Sequence, residues 1–316
     1  VRTIALEEHY ATAGFLRGPG SWLASRAGVI EAIADLGDDR IAAMDEAGID
    51  LAVLSLAAPG VEQLDGSEAA PLARDCNDEL AAAVARYPER LAGFACVPIS
   101  APNAAADELE RAMRTLGFKG AVINGHSQGR YLDDPFFEPI LDRAARLHAP
   151  IYLHPTIPPA GVIESSYAGF SPAVTFAFAT VGWGWHINTA THLLRLILGG
   201  VFDRYPALQI VIGHMGEATS FMLPRFDATL TPELTGLEHP VSTYLRRNVH
   251  YTFANFNDEA TYANLVAQVG IDRVAFSADY PFGSMKAARA FLDGLPLSDD
   301  DRARISHRNA EKLLGL

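Results

Sequence analysis

Two carboxylates and two imidazoles stand just beyond short apolar runs that lie far apart in the chain. Glu7 and His9 follow the run 3–6 in Glu7-Glu8-His9-Tyr10, His154 follows 150–153, and Asp279 follows 273–276 in Ser277-Ala278-Asp279. Together they form a mixed nitrogen and oxygen donor set. Such a set suits one divalent transition ion, Zn2+ or Mn2+, and leaves room for water or substrate, whereas calcium prefers oxygen alone. Side chains alternate along a strand, so Glu7 and His9 are expected on one face and Glu8 on the other. A single histidine at a strand end is more often a hydrogen-bonded scaffold residue; it is the set of four that points to a metal site.

His214 lies in Gly213-His214-Met215-Gly216-Glu217, past the run 209–212. If a helix opens at Gly216, Glu217 sits in its first turn, where it can accept from the imidazole, orient it and raise its basicity. Asp279, His214 and Glu217 are the residues here whose chemistry could serve proton transfer. Arg225, in Leu223-Pro224-Arg225-Phe226-Asp227, carries a planar cation that could grip a substrate carboxylate, although by itself it reads more readily as a surface ion-pair residue. His126 and His186 are candidates for a substrate-pocket wall. His192 and His250 read as structural, and His148, His239 and His307 as exposed.

These residues meet only if the elements before them end on one face. Apolar runs recur at 3–6, 51–56, 92–97, 120–123, 150–153, 209–212, 249–253 and 273–276. Helical patterns lie between most of them, at 39–47, 70–87, 102–116, 136–147, 189–202 and 258–269, with another at 299–314. Eight strands alternating with helices predict a (β/α)8 TIM-like barrel, in which all strand C-termini open onto one rim. An open doubly wound sheet also alternates, but it usually follows its first strand with a glycine-rich phosphate loop, and Glu7-Glu8-His9-Tyr10 is no such loop. The rhythm breaks at 155–187, rich in Pro, Gly and aromatics. We expect there a long βα loop with one helix around 173–180, inside a single domain spanning 1–316.

The chain carries 25 Lys and Arg against 38 Asp and Glu, a net charge of −13 with no long basic cluster, which argues against a nucleic-acid partner. An anionic small substrate needs only one or two local cations and a metal. Cys76 and Cys96 cannot build a disulfide framework, and Cys96 is expected as a buried thiol. No stretch approaches a membrane span and no leader pattern opens the sequence, so a cytoplasmic protein is expected.

The ordered motifs Ala5-Leu6-Glu7-Glu8-His9-Tyr10, Tyr152-Leu153-His154-Pro155, Ile212-Gly213-His214-Met215-Gly216-Glu217 and Phe276-Ser277-Ala278-Asp279-Tyr280-Pro281-Phe282 resemble the decarboxylase branch of the amidohydrolase superfamily. That branch includes γ-resorcylate, 2,3-dihydroxybenzoate, 5-carboxyvanillate and aminocarboxymuconate semialdehyde decarboxylases. Leu54-Ser55-Leu56-Ala57-Ala58-Pro59-Gly60 and the stretch 191–206 extend the likeness nearly end to end. Many hydrolases of the superfamily carry His-x-His where this chain has Glu7 and His9, and the Glu-x-His form resembles the hydroxybenzoate decarboxylases.

The resemblance implies an amidohydrolase-type barrel and nonoxidative decarboxylation of a hydroxylated aromatic or related unsaturated acid. It also implies a metal on Glu7, His9, His154 and Asp279, an adjacent His214–Glu217 dyad, catalytic roles for Asp279, His214 and Glu217, Arg225 on the substrate's acidic groups, and a homo-oligomer, dimer or tetramer. A metal-dependent hydrolase or hydratase of the same superfamily is the alternative. Two departures bear on the substrate side: a short segment at 125–133, and Tyr280-Pro281-Phe282-Gly283 where many relatives have Trp-Pro-Phe-Glu.

Overall fold

A computed structural model describes residues 1–316. Its strands are β1 (Ile4–Tyr10), β2 (Leu51–Leu56), β3 (Leu91–Gly93), β4 (Ala95–Cys96), β5 (Ala121–Asn124), β6 (Ile151–His154), β7 (Ile210–Ile212), β8 (Val249–Thr252) and β9 (Val274–Ala275). Strand pairs run parallel, in the order β1-β2-β3 and β4 through β9. β3 and β4 are halves of one stave interrupted at Phe94, where the Phe94 N–H donates to Leu54 and the Ala95 N–H to Gly120. Eight staves result, each where an apolar run predicted one.

Backbone bonds also join the first stave to the last. The Leu6 N–H donates to Phe276 (3.1 Å), the Asp279 N–H to Glu7 (2.9 Å) and the His9 N–H to Tyr280 (2.7 Å). The arrangement is a TIM-like barrel with helices around it. Every strand residue is buried, because parallel staves are covered on both faces; this is why the runs read as continuous hydrophobics rather than as alternation. Inside the ring lie Ile4, Leu6, Leu51, Val53, Phe94, Val122, Tyr152 and Val211, with Ala310 and Leu314 of the C-terminal helix among them. The alternate residues, such as Ala5, Ala52 and Ile123, pack outward against the helices.

β1 departs from simple alternation. Ala5 pairs with Ala52, but Glu8 pairs with Leu54, so β1 carries one extra residue between these positions. Continued from Ile4 and Leu6, strict alternation would aim Glu8 into the barrel and Glu7 and His9 away. The bulge resets the phase, and Glu7 and His9 face inward.

The helices differ from expectation mainly at their ends. The one expected at 189–202 begins earlier, as Gly184–Leu198, so that His186 falls in its first turn. Gly200 in a left-handed conformation (φ +66°) separates it from a short Val201–Arg204 turn. Segment 155–187 holds two helices of its own, Ala160–Ser166 and Pro172–Ala179, rather than one. Val241–Arg247 and Met285–Gly294 went unpredicted. The C-terminal pattern is divided by a π-helical turn at Arg304–Arg308. Cys76 and Cys96 are free and buried, and no helix is long and apolar enough to cross a membrane.

Candidate active site

Glu7, His9, His154 and Asp279 converge at the C-terminal rim, each offering a ligand atom within 4.8 Å of the others. His9 Nε2 lies 3.1 Å from Asp279 Oδ1, and His154 Nε2 lies 3.4 Å from Glu7 Oε1. Glu7 and His9 are held from behind, whereas His154 Nδ1 is buried without a partner. Glu7 Oε2 accepts from the Tyr152 hydroxyl and from Thr252 Oγ (3.1 Å), which leaves Oε1 free. His9 Nδ1 is engaged by Ser55 Oγ at 3.3 Å, which leaves Nε2 free.

Glu7 Oε1 and His9 Nε2 are fully buried without a hydrogen-bond partner. Buried polar atoms are rarely left this way, and here they point at one another's ligand atoms. Burial raises the Glu7 carboxyl above its usual range, with Asp279 adding to the effect against the pull of His214 and His9. Burial first, then His9 and His214, holds the His154 imidazole well below its usual range and therefore neutral. A cation among these atoms would meet two carboxylates and two imidazole lone pairs, so the residues present fit a divalent metal.

Asp279 sits in a left-handed conformation (φ +62°). Glu8, facing away from the barrel, fixes that turn from outside: its carboxylate accepts from the N–H groups of Ala278 (2.8 Å) and Tyr280 (3.1 Å), the two neighbours of Asp279. Burial pushes the Glu8 carboxyl up to about 8 despite these bonds.

His214 Nδ1 lies 2.8 Å from Glu217 Oε1, as the motif suggested, but the local route differs. The helix opens at Thr219, not Gly216, and His214, Met215, Gly216, Glu217 and Ala218 all take positive φ, a tight turn that folds Glu217 back under the imidazole. The second oxygen of Glu217 lies 2.5 Å from His186 Nδ1. His186 Nε2 faces the Val181 carbonyl at 3.1 Å. Burial opposes charge on His214, but the Glu217 and Glu7 carboxylates, the Glu217 hydrogen bond and Asp279 outweigh it and push its pKa up to about 10. Burial alone would raise Glu217; His214 and His186 instead bring it below the usual carboxylate range.

A cavity of about 300 Å³ lies over this centre, lined in part by His154, His186, His214 and Asp279. Trp22, Phe282 and Phe256 form its aromatic walls, with Trp22 and Phe282 stacked at 6.3 Å. Two expected substrate contacts do not reach it. His126 donates from Nε2 to Ile157 (3.1 Å) and accepts at Nδ1 from Gly129 (3.0 Å), so it ties loops together outside the cavity wall. Arg225 is exposed on the helix Thr219–Thr229, away from the cavity lining.

The cation that does line the cavity is Arg26, stacked on Trp22 at 5.4 Å; it follows a 3-10 turn and belongs to no motif. Tyr152 and Thr252 were also missed. Tyr152 could have been found, since alternation puts it on the same face as His154 two residues on.

Residues 30–316 match the family described as Amidohydrolase. The chain belongs to that family. Among relatives of this amidohydrolase, a γ-resorcylate decarboxylase from Rhodococcus jostii is 37% identical, with 99% of this chain and 98% of the relative covered. The decarboxylase orsB from Emericella nidulans is 33% identical, with coverage of 98% and 96%. Among solved structures, 5-carboxyvanillate decarboxylase from Novosphingobium aromaticivorans, with bound manganese and 3-methoxy-4-hydroxy-5-nitrobenzoic acid, superposes with a TM-score of 0.91 at 34% identity, covering 100% of this chain and 97% of that one. β1 precedes the family match, but these alignments span almost the whole of this chain.

Proposed function

We propose that this amidohydrolase is a metal-dependent nonoxidative decarboxylase, a carboxy-lyase, of a hydroxylated aromatic or related unsaturated carboxylic acid, able to run in reverse as a carboxylase. The observation that carries it is the convergence of Glu7 Oε1, His9 Nε2, His154 and Asp279 under an aromatic-walled cavity with the Arg26 cation in its wall. Glu7, His9, His154 and Asp279 hold the metal, Mn2+ or Zn2+, a choice the two-nitrogen, two-oxygen donor set leaves open. Bound there, the ion supplies Lewis-acid and template chemistry to the substrate carboxylate and its ortho hydroxyl.

The residues supply the rest. Trp22 and Phe282, stacked on one another, give the ring an aromatic wall to lie against, and Arg26 meets a carboxylate or another acidic substituent. Asp279 relays a proton taken from solvent to the ring carbon that bears the carboxylate; that carbon becomes tetrahedral, the bond to the carboxylate breaks, and its electrons return to the ring as carbon dioxide leaves. His214, held cationic by Glu217 and backed by His186, donates a hydrogen bond to the substrate's phenol oxygen and favours its ionised form. Exposed Trp183, Phe221 and Leu234 support assembly into a homo-oligomer, dimer or tetramer, and two buried thiols accord with a cytoplasmic setting.

The test is metal analysis of purified protein together with carbon dioxide release from a panel of hydroxybenzoates, run beside lactones and esters. Stoichiometric metal with carbon dioxide release is expected. Ester or lactone turnover without carbon dioxide would favour the hydrolase alternative.

A further inference from the structure

The cavity over the metal residues adjoins a second, apolar one. This annex is an open groove of about 220 Å³ between the loop after β2, at Ala58 and Pro59, and the loop after β6, at Thr156 and Ile157, beside the exposed Phe176 of the 155–187 insertion. Trp22, Arg26, Ala58, Val181 and Trp185 line both, so the two lie side by side. Arg26, at the junction, is the only charged group in the annex's wall. The Thr180 hydroxyl is spent on the Phe176 carbonyl of its own helix (2.6 Å).

Size decides what each cavity is for. A cavity of about 150 Å³ already takes a benzene ring, so the 300 Å³ over the metal residues holds a hydroxybenzoate without help. The annex is then surplus to a simple ring acid, and its walls offer water little to bond. We infer that the acid this site takes carries an apolar substituent, an alkyl chain or a second ring, which lies in the annex while the carboxylate and hydroxyl stay at the metal residues. This rests on the decarboxylase reading of the site and deepens it by naming the substrate class. Each methylene that leaves water in the annex strengthens binding roughly three- to fourfold, so a propyl group is worth on the order of 30-fold.

The experiment uses manganese-loaded enzyme and two matched series. Resorcinol and its methyl, propyl and pentyl derivatives, which have no carboxylate to lose, are titrated by quenching of Trp22 and Trp185 fluorescence. Dihydroxybenzoates with the same substituents are assayed for carbon dioxide. The Kd of the inert series is expected to fall three- to fourfold per methylene, and Ile157→Trp, which fills the annex, is expected to flatten that dependence. A Kd indifferent to chain length, or a dependence unchanged by Ile157→Trp, overturns the inference. Carbon dioxide from unsubstituted acids with a flat binding series would leave the decarboxylase reading standing alone. A steep binding series without carbon dioxide from any acid would uphold the annex and remove that reading.

Discussion

Tyr152→Phe removes one hydroxyl from behind the metal residues and changes almost nothing else. The ring keeps its packing against Phe94 at 5.9 Å, and the fold loses no volume. What disappears is the donor to Glu7 Oε2, the bond that turns Oε1 toward His154 and the cavity. A hydrogen bond to a charged group is worth about 1.5–3 kcal/mol, and loss of a group that orients a metal ligand typically costs about 10- to 100-fold in metal affinity. Thr252 Oγ still reaches the same oxygen at 3.1 Å and stands 2.7 Å from the Tyr152 hydroxyl, so the lower end of that range is expected for the single variant. Adding Thr252→Val should cost more than either change alone, because it strips Oε2 of both donors. Calorimetric titration of apo-protein with Mn2+ reads the effect directly, and kcat at saturating metal should move much less. A Kd within twofold of the parent, with a drop in thermal stability instead, would mean that Tyr152 only fills the barrel and that Glu7 is not oriented in this way.

Asp279→Asn should retain the fold and lose kcat by at least a hundredfold even at saturating metal, read as carbon dioxide release; parental turnover in a metal-loaded variant would remove Asp279 as the proton donor. Arg26→Met should raise KM about tenfold or more with metal affinity unchanged, while in a single chain Arg225→Met should leave KM near parental because Arg225 does not line the cavity. The reverse order, an effect from Arg225 and none from Arg26, would reassign the substrate cation. His192 is buried, accepts from the Leu132 N–H at Nε2 (2.9 Å), and is held down to about 3 by burial. Its folded pKa lies below the unfolded value, so its stabilisation is complete above pH 6.5 and is lost as pH falls toward 3, on the order of 5 kcal/mol across that window. His192→Gln, which can still accept that bond, should flatten the acid limb of a denaturant-based stability profile; an unchanged limb would show that other groups dominate it.

The eight staves were legible because parallel strands buried on both faces leave a plain signal, a short apolar run with turn residues at each end. The four metal residues were legible for a related reason. A barrel puts every strand's C-terminal end on one rim, so residue type and position after a run were enough to bring Glu7, His9, His154 and Asp279 together on paper. The facing of Glu7 and His9 was expected correctly from alternation, yet the structure reaches it through a bulge. That bulge is set by pairing with β2, which no local pattern in β1 records.

What the chain by itself determined is the order of strands and helices, the chemistry of the rim residues, and the His214–Glu217 spacing. Only the tertiary structure decided which cation faces the cavity, since Arg26 arrives from a motif-free turn while Arg225 stays outside on a helix whose start was misplaced. The same holds for His186, delivered beside Glu217 by a helix that begins five residues earlier than its apolar pattern, and for the apolar annex, which exists only where three loops meet. The physical reason is common to all of these. Strand burial repeats along the chain and leaves a period, whereas loops are placed by contacts with distant segments and leave none.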